Sequence, residues 1–186
     1  MLTIGGFMKL SIKELSRISI FAALTAIGAF LSIPLGPIPI TLQSMFVLLA
    51  GFILGVKGAV LSQVVYLIIG LIGIPVFSNF TGGLQSILLP SFGFLLGFLA
   101  VAAISGLAHK KTNTIVGFMV YGLFATVALY SIGLSYMTFI LNVVMKSGLS
   151  FSTILKIGLF AFIPGDILKL FAASFIGLRL KKSNLF

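Results

Sequence analysis

Long apolar runs with almost no charge inside them decide what this chain can fold into. An α-helix rises about 1.5 Å per residue, so about twenty apolar residues cross about 30 Å of hydrocarbon. Six segments approach that length: roughly 17–33, 41–56, 58–74, 92–108, 114–138 and 152–180. Charged residues make up 8% of the 186, against about a quarter in a soluble domain. Too few charges remain to cover a water-facing surface. The expected fold is therefore an all-α integral membrane protein, a single membrane domain over residues 1–186. Residues 1–16 form a cytoplasmic N-terminal segment, 17–182 a bundle of six transmembrane helices and 183–186 a C-terminal tail.

The net charge of +10 does not mark a nucleic-acid surface, because the basic residues sit between the apolar runs rather than in one patch. With the N-terminus inside, Lys9, Lys13, Arg17, Lys57, Lys110, Lys111, Arg179, Lys181 and Lys182 fall on the cytoplasmic side, and Lys146 and Lys156 outside. That bias puts both termini in the cytoplasm. The outward connections are then 34–40, 75–91 and about 139–153, rich in Pro, Gly, Asn, Ser and Thr. A binding site belongs on that side. Within the last run, Pro164 suits the first turn of a helix. A short outer helix over about 152–162 should precede the true span from about 164 to 180.

Acidic residues number two, Glu14 and Asp166. A carboxylate inside a membrane helix costs about 2.5–3.5 kcal/mol on insertion scales. Lys169 lies three residues on, on the same helix face, so the two can neutralise each other. They can also read a polar ligand, Asp166 accepting N–H donors and Lys169 donating to a carbonyl or carboxylate. Asn79 lies in an outer loop near Phe77, and its amide can read another amide or a urea. As a residue before Gly82 and Gly83 it also suits a turn. Gln43 opens the second segment, as a binding group or an interfacial side chain. Tyr66, Tyr130 and Tyr136 are candidates for a pocket wall or for core packing. Ala22 and Ala26, four apart, let another helix approach closely.

Several chemistries are excluded. There is no cysteine, no phosphate-binding G-x-x-x-x-G-K-[ST] loop and a single histidine, His109, in an inner basic turn. No metal cage, no cofactor and no enzyme activity are expected, and energy for uphill transport has to come from a partner.

The run PIPITLQ from Pro37 to Gln43, GLIGIPVF from Gly70 to Phe77, the pair Gly82–Gly83 and P-G-D-x-x-K from Pro164 to Lys169 together resemble the BioY family. Members are biotin-binding S components of energy-coupling factor (ECF) transporters. The resemblance implies a substrate-capture subunit of a prokaryotic plasma membrane. It would bind biotin from outside and dock through its first helix, at Ala22 and Ala26, onto a transmembrane coupling protein driven by two ATPase subunits. It assigns Asn79, Asp166 and Lys169 to the ureido ring and leaves Phe and Tyr walls for the thiophane ring and valerate chain. Gln43, Ser91 or loop N–H groups remain open for the carboxylate. The family often reads Pro-Thr-Gly-Gly-Tyr where this chain has Pro90, Ser91, Phe92, Gly93 and Phe94, which removes a tyrosine hydroxyl from that wall. Alternatives are an S component for another vitamin such as thiamine, or a membrane scaffold without a ligand.

Overall fold

In a computed structural model the described residues are 2–4, 8–34 and 38–183; Pro37 of the PIPITLQ run and residues 184–186 of the tail lie outside them. Among the described residues the chain is mostly helical, with two short antiparallel ribbons. Strands β1 (Leu2–Ile4) and β2 (Met8–Leu10) form one. Strands β3 (Ser32–Ile33) and β4 (Ile40–Thr41) form the other. Helix α1 spans Ile12–Phe30 and opens on a capping box. The Ser11 hydroxyl accepts from the Glu14 N–H, and the Glu14 carboxylate accepts from the Ser11 N–H at 2.8 Å. Those bonds hold the Glu14 carboxyl below its usual range.

Helix α2 runs from Gln43 to Leu71 and is broken at Gly55, whose φ of 71° is a left-handed conformation open to glycine. The break is a reversal. In a straight helix residues 43 and 66 would be about 34 Å apart, yet Gln43 Nε2 donates to the Tyr66 hydroxyl at 2.6 Å. The two arms therefore lie side by side. The sequence boundary at 56–58 falls beside this turn, drawn there by Lys57. His109 meets the freed helix end, its Nδ1 lying 2.9 Å from the Phe52 carbonyl oxygen.

Helix α3 (Phe92–Lys111) packs closely on that hairpin. A Cβ added at Gly106 would lie 2.5 Å from the Val56 nitrogen and 2.6 Å from its Cα, so backbone touches backbone. Helix α4 (Ile115–Phe139) continues into one π turn, Ile140–Val144. Helix α5 (Phe151–Leu155) passes through a π turn into α6 (Ile163–Lys182), with Pro164 in its first turn as the sequence implies. The core gathers between α1, α2, α3, α4 and α6, where Phe52 stacks on Phe118 at 4.6 Å.

Among the described residues four helical stretches are long and apolar enough to cross a membrane: Gln43–Leu71, Phe92–Lys111, Ile115–Val144 and Phe151–Lys182. The first contains the hairpin. Helix α1, with Lys13, Glu14 and Arg17 in its first turns, is not among them. Apolar side chains dominate the outer faces of α4 and α6; Leu123, Phe124, Ile167 and Leu168 are all more than half exposed, the pattern of a surface solvated by lipid.

Candidate functional site

A cavity of about 670 Å³, its open mouth included, lies where α2, α3, α4 and α6 converge under the loop segments 38–41 and 77–91. The opposite end of the bundle carries the basic turn, where Lys181 donates to the His109 and Thr112 carbonyls.

The start of α6 brings its charges into this cavity. Pro164 fixes the first turn, and Asp166 follows in that turn, where the helix dipole favours an anion. Lys169 reaches Asp166 at 2.5 Å, and the two side chains are 10% and 14% exposed. The pair does not satisfy itself alone. The Tyr130 hydroxyl on α4 donates to the other carboxylate oxygen of Asp166. Lys169 Nζ donates to the Thr41 carbonyl at 3.0 Å and to the Ser44 hydroxyl at 3.2 Å. An ion pair held by three further elements is rigid, and a rigid polar group inside an apolar bundle can select a ligand.

Gln43 lies on the wall, 3% exposed. Its amide oxygen accepts from the Thr41 hydroxyl at 3.1 Å and its nitrogen donates to Tyr66. Phe77 is 2% exposed and lines the cavity, with its ring edge-on to Tyr66 and Phe92 at centroid distances of 5.5 and 6.4 Å. Ser91 lines the wall at the start of α3. Phe92, Phe94, Leu95, Phe98 and Leu129 supply the apolar surface between these groups.

The structure thus brings Gln43, Phe77, Ser91, Asp166 and Lys169 to one cavity. Tyr66 stands one layer behind, supporting Gln43 and donating to the Val76 carbonyl at 3.1 Å. Asn79 is not on the wall. It sits exposed at φ 58° in the turn Ser78–Phe80, closed by the Phe77 N–H donating to the Thr81 carbonyl at 3.0 Å. Phe80 beside it stacks on Phe30 of α1 at 4.7 Å. Ala22 of α1 faces inward. It is 4% exposed and belongs to the chain's own core, while Ala26 is half-buried. The exposed side of α1 carries Ser19, Ile20, Ala23 and Ile27. Thr41, Ser44, Ser78, Thr81 and Ser86 are wall residues that the sequence did not single out. A lone hydroxyl in an apolar stretch carries no periodic signal, and these are joined only by tertiary packing.

Fold and cavity define a class: a membrane-embedded helical protein with a cavity that sets an ion pair among apolar walls. The profile of the BioY family matches residues 6–185, and the chain belongs to that family. It is 36% identical over 170 residues to the biotin transporter BioY of Thermotoga maritima, covering 91% of this chain and 96% of that protein. A probable biotin transporter BioY of Pyrococcus horikoshii is 37% identical over 169 residues, with the same two coverages. A crystal structure of the S component for biotin from an ECF-type ABC transporter superposes with a TM-score of 0.81 at 32% identity, covering 92% of each chain.

Proposed function

We propose that the chain is the biotin-capture subunit of an ECF-type uptake transporter in a prokaryotic plasma membrane. The observation that carries this reading is the half-buried carboxylate of Asp166, fixed by Tyr130 and Lys169 at a pocket wall with acceptor positions to spare. A cyclic urea offers an N–H donor to such a group, and the aromatic walls suit the ring and chain that follow. Family membership and relatives named as biotin transporters support the same ligand. Relatives named as transporters also favour binding without chemistry, with no cofactor and no enzyme activity.

The proposal keeps one membrane domain of six passes, counting the two arms of α2 and the α5–α6 stretch, with both termini in the cytoplasm. The distribution of Lys and Arg supports it. The pocket then opens outward, and the Lys181 end faces the ATPases. Isothermal titration of the purified protein with biotin and thiamine tests the ligand. Tight binding of biotin and none of thiamine is expected; the reverse would overturn the reading.

Partner docking is assigned to the exposed side of α1, at Ser19, Ala23 and Ile27 together with Ala26, rather than through the inward-facing Ala22. The partners are a transmembrane coupling protein and two ATPase subunits. Ala23→Trp should leave biotin binding intact and abolish co-purification with the coupling protein. Normal assembly of the complex in that variant would refute the docking side.

A further inference from the structure

Hydrogen-bond accounting separates the two ends of the cavity. The Lys169 ammonium has three donors. Thr41, Ser44 and Asp166 already take them. A ligand finds no free donor on that side chain. Asp166 is the opposite case. A carboxylate accepts about four hydrogen bonds, and those from Lys169 and Tyr130 leave room for more. This end therefore recognises N–H groups and disfavours a second carboxylate beside Asp166.

The wall made by residues 84–92 has the complementary character. Ser86 is 2% exposed, lines the cavity, and its hydroxyl has no hydrogen-bond partner among the described residues. Its carbonyl is occupied, accepting from the Leu89 N–H at 3.1 Å. Buried hydroxyls are nearly always paired, so one left open at a cavity wall points to a group from outside. Five residues on, Ser91 opens the twenty-residue helix α3, whose positive dipole end faces the same wall. Helix α4 sets the spacing between the two ends. Tyr130 donates to Asp166, while Tyr136 donates to the Ile87 carbonyl at 2.5 Å, next to Ser86. The six-position separation of these tyrosines corresponds to about 9 Å of helix rise.

We infer that the Ser86 hydroxyl, backed by the N-terminal end of α3, donates to the carboxylate of the ligand, so that biotin lies with its ureido ring at Asp166 and its valerate carboxylate at Ser86. The inference rests on the biotin reading above. Discrimination at this wall is then a matter of the ligand's acidic tail, and neutral-tailed analogues lose affinity here.

The test pairs one substitution with two ligands. Biotin and biotinamide, which carries a neutral carboxamide in place of the carboxylate, are titrated against wild type and Ser86→Ala. The wild type should prefer biotin. The variant should lose about tenfold or more in biotin affinity and much less for biotinamide, because a bond to a charged acceptor is the stronger one. Equal losses for both ligands, or no loss for biotin, would overturn the assignment. The substitution removes a hydroxyl that bonds nothing within the chain, so its thermal unfolding should match wild type. Wild-type discrimination gives a reading that needs no variant: equal affinity for both ligands also overturns it. Failure of wild type to bind either compound is a different result, and it overturns the biotin reading itself.

Discussion

Asp166→Ala is expected to lower biotin affinity by about 10- to 100-fold, since it removes the charged acceptor for a ligand N–H group. The same change also acts on the fold. Lys169, 8% exposed, keeps its bonds to Thr41 and Ser44 but loses its counter-charge. Breaking a buried pair in this way costs about 3–5 kcal/mol, more than the pair itself contributes. Loss of binding in the alanine variant therefore mixes two causes, and a second variant separates them. Asp166→Asn combined with Lys169→Met keeps the volume and leaves no lone charge. It should unfold near the wild-type temperature while still failing to bind biotin. Calorimetric titration and thermal unfolding in detergent read the two effects independently. Affinity close to wild type in Asp166→Ala would remove the carboxylate from the binding site.

Gly106→Ala should have the largest effect on stability, about 3 kcal/mol or more. Overpacking usually costs about 1–3 kcal/mol when side chains can shift. Here the added methyl would meet the Val56 nitrogen and Cα, which are backbone atoms just past the reversal at Gly55. Neither can move without displacing an arm of α2 from α3. Gly165→Ala is the matched control. Its new Cβ would meet nothing closer than Lys169 Cε at 3.9 Å, in the first turn of α6. A thermal unfolding comparison should show a large drop for the first and almost none for the second. Similar midpoints for both would mean that α2 and α3 are not packed this tightly.

The main features of this fold are written in the chain at the scale where hydrophobicity and proline act. Apolar runs locate the helices, and Pro164 locates the true start of α6 because its ring tolerates only the first turn. Asp166 and Lys169 were readable as a pair because three residues along a helix is a fixed geometry. Other features are settled by tertiary contact. Helix α1 is apolar on several sides, so the sequence does not say which alanine faces inward. One residue is about 100° of rotation, and that separates buried Ala22 from exposed Ala23. Asn79 looked like a ligand group by chemistry, but the left-handed turn at 79–80 carries it away from the wall. Tyr130 and Ser86 join the site from α4 and from a loop turn, at sequence distances that no local pattern records.

The ammonium of Lys169 grips Thr41 and Ser44 as well as its own helix neighbour. Thr41 belongs to the short ribbon β3–β4 at the cavity mouth. An outward swing of that ribbon takes one of the three acceptors from a cation shielded from water. Entrance and recognition group are thereby tied to one atom: the mouth cannot gape while Asp166 and Lys169 stay as they are. A filled cavity that steadies Asp166 steadies the doorway with it.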